Sequence, residues 1–126
     1  MKETILLVDD EAGIRKVLGI SLADLGYEIL HAGSGEEALS LFDEKKPDLV
    51  ITDIKMPGIT GIDLLKKIKE QDPDTPVIMI TGHGDLDLAI LSLKHEASDF
   101  VTKPINDEVL EIAIKRAFER KKMKQA

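Results

Sequence analysis

The chain has 126 residues, which fits one domain with a single sizeable hydrophobic core. It has no cysteine, which excludes disulfides and thiolate metal sites, and its three phenylalanines and one tyrosine are too few for base-stacking platforms on nucleic acid. Its net charge is −7, but the last twelve residues, KRAFERKKMKQA, carry six basic residues and one acid, a local charge of +5. The remaining residues therefore carry −12, and this negative charge argues against binding of the domain to the phosphate backbone of nucleic acid.

Neither end of the chain predicts a membrane segment. No apolar run approaches the ~18 residues that a spanning helix needs. The first residues, MKETILLVDDEAG, contain only a short apolar run, ILLV, followed at once by acids, which does not match a signal peptide. We therefore expect a cytoplasmic location and no membrane partner.

Five short apolar segments predict β-strands. Four are rich in β-branched residues and bounded by Asp, Pro or Gly, which is typical of strands buried on both faces of a parallel sheet. The remaining one, YEILHA, is less uniformly apolar and predicts a strand near a sheet edge. In chain order the predicted strands are residues 4–8, 27–32, 49–52, 77–81 and 100–102.

Amphipathic stretches separate these strands and predict helices. The first ends before Gly26, which suits a helix C-terminus, and the second begins with Ser34 and Glu37 in capping-box spacing. Asn106, followed by two acids, predicts the start of the last. The predicted helices are residues 11–25, about 34–44, about 61–71, about 85–95, and 106 to the chain end. Alternating strands and helices predict one α/β domain, a doubly wound parallel sheet with helices on both faces.

Polar side chains follow several of the predicted strands. Asp9 and Asp10 follow the first, Asp53 the third and Lys103 the fifth, while Thr81 ends the fourth. In an open parallel sheet, functional groups gather beyond the carboxyl ends of the strands. If the first and third strands are neighbours, three carboxylates converge, and their repulsion calls for a cation. A hard divalent ion such as Mg²⁺ suits this donor set.

Together these groups predict a phosphoryl-transfer site. Asp53 stands alone at its strand end and is the candidate nucleophile, whereas Asp9 and Asp10 are candidates to hold the metal. Lys103 and Thr81 supply a positive charge and a hydroxyl donor for phosphoryl oxygens. Any one of them is usually a turn former or a solvated side chain; their joint occurrence at one rim carries the prediction.

Four segments resemble the receiver domain of two-component response regulators, the CheY-like family. They are ILLVDDE, VITDIKMPGITGIDLL, VIMITGHGD and ASDFVTKP, in the order and spacing of that family. The resemblance covers residues 3–120 and implies a flavodoxin-like fold with five helices and strand order 2-1-3-4-5. It also implies a receiver domain at 1–120, with 121–126 as the basic end of the last helix. In this family, such an end would either lead into an output domain or be the end of a stand-alone, single-domain regulator.

The resemblance also implies roles for the site residues. Asp53 would take a phosphoryl group from a sensor histidine kinase or a phosphotransfer protein, forming a short-lived acyl phosphate. Asp10, Asp53 and the backbone carbonyl of Lys55 would bind Mg²⁺, with Asp9 acting largely through water. Lys103 would pair with the phosphoryl group, and its peptide bond to Pro104 is expected to be cis. This implies a signalling phosphoacceptor, which assists its own phosphorylation and slow dephosphorylation, rather than an enzyme.

The resemblance further implies a conformational switch. Thr81 would move to hydrogen-bond the phosphoryl oxygen, and Phe100 would turn into the space that Thr81 vacates. Phe100 has no hydroxyl, so its inward position gains packing but no hydrogen bond. Signalling would then be a population shift.

The fourth helix, DLDLAILSLKHE, is apolar on more than one face. If Ala89, Ile90 and Leu93 face the core, Leu88 and Leu91 point to solvent. Together with Ile112 of the fifth helix they would form a face for a partner or a second copy. Any nucleic-acid contact would come through an output domain. After this helix, His95 and Glu96 replace the Ala-Gly that is common in the family, which leaves the corner without an easy left-handed residue.

Three alternatives to a receiver fit the sequence less well. A haloacid-dehalogenase-type Mg²⁺ phosphatase resembles D-x-D-x-T/V after its first strand, which VDDEAG does not match. A flavodoxin-like flavin module would need a Ser/Thr/Gly-rich loop where this chain has the acidic DDEAG. A pseudo-receiver that serves only as an interaction scaffold usually lacks one of the acids, the Thr or the Lys. All of these are present here.

Overall fold

The computed structural model describes residues 2–125, so Met1 and Ala126, the last residue of the predicted basic segment 121–126, lie outside it. All ten predicted elements are present in the described residues. The strands are β1 (Thr4–Val8), β2 (Glu28–Ala32), β3 (Leu49–Asp53), β4 (Val77–Thr81) and β5 (Asp99–Thr102). The helices are α1 (Ala12–Asp24), α2 (Gly35–Lys45), α3 (Gly61–Gln71), α4 (Leu86–Lys94) and α5 (Asp107–Gln125).

The sheet is parallel throughout, with strand order β2-β1-β3-β4-β5. This confirms the expected doubly wound fold. Val8, at the end of β1, pairs with Thr52 of β3, and Asp53 pairs with Ile80 of β4. The carboxyl ends of β1, β3 and β4 therefore lie side by side at one rim.

Alternate residues of each strand face two separate cores, as the pleat of a strand requires. On one face Leu6 and Val50 pack with helices α2 and α3, through side chains such as Phe42 and Leu65. On the other face Ile5, Leu7 and Ile51 pack with α1 and α5. The central strands are buried on both sides, which explains their nearly continuous apolar sequences.

The three predicted helix-end signals are all met, and Thr60 adds a cap that was not predicted. The Ser34 hydroxyl accepts a hydrogen bond from the Glu37 N–H at 3.1 Å, and Thr60 and Asn106 cap α3 and α5 in the same way. Gly26 follows α1 with a φ of 99°, a left-handed conformation that glycine adopts without strain. Helix α5 continues past residue 120 without a break, so residues 121–125 form its basic end.

The buried face of α4 differs from the prediction. Leu88 packs against the core rather than pointing to solvent, while Ile90 and Leu93, expected in the core, are exposed. Ala89 and Ser92 are the fully buried residues of this helix. Burial of the polar Ser92 is tolerated because its hydroxyl donates a hydrogen bond to the carbonyl of Ala89 at 2.6 Å. A polar residue at the centre of the buried face makes the hydrophobic pattern misleading.

The corner after α4 keeps a left-handed residue although it lacks glycine. Glu96 has a φ of 72°, and the Ala97 N–H donates to the carbonyl of Ser92 at 3.0 Å. This is the geometry of a common helix C-terminus, here at a cost of about 1 kcal/mol for a residue with a Cβ. The predicted loss of the easy cap therefore leaves the corner in its ordinary shape.

Candidate functional site

Three carboxylates meet at the rim formed by β1 and β3. Oxygens of Asp9, Asp10 and Asp53 all lie within 4.8 Å of one another. Asp9 and Asp53 are buried, whereas Asp10 is exposed. The pairing of β1 with β3 causes this convergence, as the sequence predicted for neighbouring strands. The cluster combines buried negative charge with one open side.

The backbone around Asp53 is held from two sides. The Ile54 N–H donates to the Ile80 carbonyl at 3.0 Å, and the Gly61 N–H donates to the Ile54 carbonyl at 2.8 Å. Gly61 lies so close that a Cβ there would be 2.1 Å from the Asp53 carbonyl oxygen. The chain after β3 therefore packs closely against the end of that strand, and this close approach fixes the backbone position of Asp53.

Lys103 forms an ion pair with Asp53. Its Nζ lies 2.8 Å from Asp53 Oδ2, and its backbone N–H donates to the Thr81 carbonyl, which anchors the lysine beside β4. The Lys103–Pro104 bond is cis, as expected. Burial works against the charge of Lys103, but the hydrogen bond and the negative charges of Asp53 and Asp9 outweigh it and raise its pKa. Lys103 is thus a fixed cation at the acid cluster.

Burial raises the pKa of Asp9, and the nearby charge of Asp53 adds to that effect. A hydrogen bond from the Glu11 N–H to Asp9 Oδ1, at 2.9 Å, opposes it in part. Arg15 Nη1 donates to the Asp9 backbone carbonyl at 2.5 Å and holds the end of β1. The fully ionised cluster is therefore unfavourable unless a cation in addition to Lys103 offsets its charge, and its all-oxygen donor set fits Mg²⁺.

Asp9→Asn is expected to stabilise the metal-free protein at neutral pH by about 1–2 kcal/mol, because it removes a buried charge from a repulsive cluster. The pKa of Asp9 is raised from 3.8 in the folded state, so the folded protein retains this proton at pH values where the unfolded chain has lost it. The stabilisation that the raised pKa of Asp9 gives the folded protein is therefore fully present below pH 3.8. It is lost as the pH rises through the pKa of Asp9 in the folded state. Urea unfolding across pH should show the variant's advantage growing in that window. A constant or negative difference would contradict this.

The two candidate switch residues border one small pocket. Thr81 is buried at the end of β4, and Phe100 of β5 is half-buried against the core. A pocket of about 180 Å³ lies between them and is also lined by His83, Leu86 and Lys103. His83 is exposed at the mouth of this pocket. The arrangement offers the space beside Thr81 that an inward turn of Phe100 would need.

Several features of the site were not predicted from the sequence. Lys55 forms an ion pair with Asp85, which lies just before α4, with Nζ–Oδ1 at 2.8 Å. Ile14 and Val17, two apolar residues of α1, are exposed. They line an open groove of about 910 Å³ that reaches Lys103. Their spacing signalled an apolar face, but it did not indicate that this face borders the site.

The residues predicted to form a partner face differ in exposure. Leu91 and Ile112 are exposed, and Leu86, Ile90 and Val109 add exposed apolar surface on the same two helices. Leu88 does not belong to this face, because it packs against the core. The exposed side chains of α4 and α5 are called the α4–α5 face below.

The comparisons identify the family. Residues 5–115 match the response regulator receiver domain family. A crystal structure of a response regulator receiver domain protein from Clostridium thermocellum is 44% identical with a TM-score of 0.93, and the match covers 96% of this chain and 98% of that one. NtrX from Brucella abortus is 38% identical with a TM-score of 0.93, over 99% of this chain and 28% of that one.

Curated relatives are longer proteins. The probable transcriptional regulator ycf27 of Guillardia theta is 44% identical over 94% of this chain and 46% of its own length. The phosphate regulon transcriptional regulatory protein PhoB of Pseudomonas aeruginosa is 38% identical, over 94% of this chain and 52% of its own length. The chain thus spans about half the length of these relatives. Within residues 2–125, no helix combines the length and apolarity needed to cross a bilayer. The chain belongs to the response regulator receiver domain family.

Proposed function

We propose that Asp53 accepts a phosphoryl group from a phosphohistidine of a sensor histidine kinase or phosphotransfer protein. A carboxylate oxygen of Asp53 attacks phosphorus, the P–N bond to the donor breaks, and the imidazole leaves and takes up a proton from solvent. The observation that carries this proposal is the Lys103 ammonium 2.8 Å from Asp53, beside the acid cluster. This ammonium offsets the negative charge of the incoming phosphoryl oxygens.

Receiver domains bind Mg²⁺ at an acidic pocket, and the donor set of this chain fits that ion. Asp10, Asp53 and the Lys55 carbonyl would hold it directly, and Asp9 through water. The ion supplies charge neutralisation for phosphoryl oxygens. Asp9, buried and hydrogen-bonded to the Glu11 N–H, keeps the cluster's geometry.

The proposed output is a shift between two conformations. Thr81 donates its hydroxyl to the phosphoryl group, and Phe100 moves into the pocket beside it. The phosphorylated chain is then a signalling state rather than an intermediate that releases product, so we propose that the chain is not an enzyme. Both side chains line the same pocket as Lys103, which supports this coupling.

Intact-mass measurement after incubation with acetyl phosphate and Mg²⁺ tests the proposal. The wild type should gain one phosphoryl group, and the gain should vanish without Mg²⁺ and in Asp53→Asn. Asp43→Asn, which removes an exposed carboxylate of α2, is the matched control and should gain the group normally. Equal phosphorylation of Asp53→Asn would contradict the assignment. If the wild type accepts a phosphoryl group neither from acetyl phosphate nor from a histidine kinase, the alternative of a pseudo-receiver that serves as an interaction scaffold is favoured.

We propose a second copy of this chain as the partner of the α4–α5 face. Ile112 is 50% exposed there, beside other exposed apolar side chains. Phosphorylation should raise the sedimentation coefficient toward that of a dimer, and Ile112→Lys should keep the phosphorylated protein monomeric. A phosphorylated wild type that sediments as a monomer at all concentrations would exclude this partner.

Regulation of transcription is proposed to occur through a part of the protein outside this chain. The relatives named as transcriptional regulators are about twice as long as the aligned segment. The acidic receiver body repels a phosphate backbone, so DNA binding by these residues alone is not expected.

We propose that the protein is located in the cytoplasm, where a histidine kinase would meet it.

A further inference from the structure

The ion pair between Lys55 and Asp85 connects the two loops that frame the phosphoacceptor. Lys55 lies two residues after Asp53, in the loop between β3 and α3, and Asp85 immediately precedes α4. The side chain of Lys55 is 69% exposed, whereas that of Asp85 is only 14% exposed. A mostly buried carboxylate is thus held by a lysine that reaches it from solvent.

Asp85 could also act as the N-cap of α4, but its side chain does not do so while it contacts Lys55. Asp85 occupies the N-cap position of α4, and Asp is among the best residues for capping a helix. Its side chain nevertheless accepts no cap hydrogen bond, and its backbone (φ −102°, ψ 26°) is not extended. Ser34 and Thr60, at the same position of α2 and α3, are extended and do cap. The carboxylate of Asp85 therefore has two competing partners, the Lys55 ammonium and the N–H of Asp87 in the first turn of its own helix.

We propose that the Lys55–Asp85 ion pair is a strap that phosphorylation of Asp53 opens, releasing Asp85 to cap α4. The inference rests on the proposed function, because the phosphoryl group is the trigger. Lys55 exchanges the carboxylate of Asp85 for phosphoryl oxygens on Asp53. Asp85 then accepts a hydrogen bond from the N–H group of Asp87, a position that an N-cap side chain reaches. The Leu88 N–H already donates to the backbone carbonyl of Asp85 at 3.1 Å.

Electrostatics favour this exchange. An ion pair with a solvent-exposed lysine is weak, because solvent screens it and the side chain loses freedom. A phosphoryl group brings a charge of about −2 and three acceptor oxygens. The Lys55 backbone N–H lies 3.4 Å from Asp53 Oδ1, so its flexible side chain starts beside the phosphorylation site. Gly84, with a φ of 88°, precedes Asp85 and allows the backbone to adjust.

The strap would couple the site to the α4–α5 face. Leu86 begins α4 and Ile90 lies one turn later, and both are exposed. Because the cap orders the first turn of the helix, opening the strap changes the part of α4 that carries these side chains. The chemical event at Asp53 thereby reaches a partner surface without a continuous chain of buried groups.

Hydrogen exchange of the Asp87 amide, measured by NMR in the unphosphorylated protein, tests the strap directly. Lys55→Gln and Asp85→Asn should each raise protection about fivefold over wild type, since Asn caps as well as Asp but lacks its charge. Asp85→Ala should show no such rise. Lys67→Gln, which removes an exposed lysine of α3, is the matched control and should leave the protection unchanged. Equal protection in Lys55→Gln and Lys67→Gln would overturn the strap.

Phosphorylation of the wild type, verified by intact mass, should raise the protection factor of the Asp87 amide about fivefold, and this rise should be absent in Asp85→Ala. A phosphorylated wild type with unchanged protection would overturn the inference while leaving the proposed function standing. A chain that takes no phosphoryl group would overturn the proposed function and this trigger. The unphosphorylated variants would still show whether the ion pair prevents capping.

Discussion

Gly61→Ala is expected to lower the free energy of unfolding by about 3 kcal/mol, the upper part of the range for overpacking a tight site. A Cβ at this position would lie 2.1 Å from the carbonyl oxygen of Asp53 and 2.7 Å from Cα of Ile54. Both neighbours are backbone atoms that cannot rotate away, and the Gly61 N–H is bonded to the Ile54 carbonyl. The clash displaces the end of β3, so phosphorylation of Asp53 should fall as well.

Urea unfolding measures this loss, with Gly13→Ala as the matched control. Gly13 lies inside α1, and a Cβ there would meet nothing within 4 Å. Alanine at that helical position should stabilise the protein by about 1 kcal/mol. The two substitutions are chemically identical and should have opposite signs. A Gly61→Ala variant as stable as wild type would show that the turn after β3 can open, contrary to the close packing of Gly61 against the backbone of Asp53.

Lys103→Met is expected to slow phosphorylation of Asp53 by about 100-fold at saturating Mg²⁺, the cost typical of removing one preorganised charged donor. Methionine keeps much of the side-chain volume but removes the ammonium that lies 2.8 Å from Asp53 Oδ2. It also leaves the carboxylates of Asp53 and Asp9 without this counter-charge. The metal-free variant should therefore be less stable than wild type, and Mg²⁺ should reduce that difference.

The rate of mass gain from acetyl phosphate measures the effect. Lys115→Met provides the control, because it removes an exposed lysine paired with Glu111 on α5, away from the acid cluster. That variant should react at the wild-type rate. A Lys103→Met variant that reacts within a factor of about 3 of wild type would contradict the role assigned to this ammonium.

Much of the fold could be predicted from the sequence because burial on both faces gives the strands a simple signature. Residues 77–81, for example, are all buried in β4. The convergence of Asp9, Asp10 and Asp53 followed from their places at the ends of parallel strands. The strand order came from the resemblance to receiver domains, because local patterns do not determine which strands pair.

The remaining features depend on side-chain packing that a linear pattern does not contain. Leu88 and Ile90 are both apolar, and only the burial of Ser92, satisfied by a carbonyl of its own helix, decides which of the two meets the core. The contact of Lys55 with Asp85 joins residues thirty positions apart and has no sequence signal. The close approach of Gly61 to Asp53 likewise became visible only in three dimensions.

The central claim, that Asp53 is the phosphoacceptor, is tested most directly by locating the phosphoryl group chemically. Borohydride reduces an aspartyl phosphate to homoserine, so the phosphorylated protein can be reduced, digested and sequenced by mass spectrometry. We predict homoserine at position 53 and unmodified Asp9 and Asp10 in the same sample. Reduction at either of those residues, or a phosphorylated protein in which no aspartate is reduced, would contradict the account.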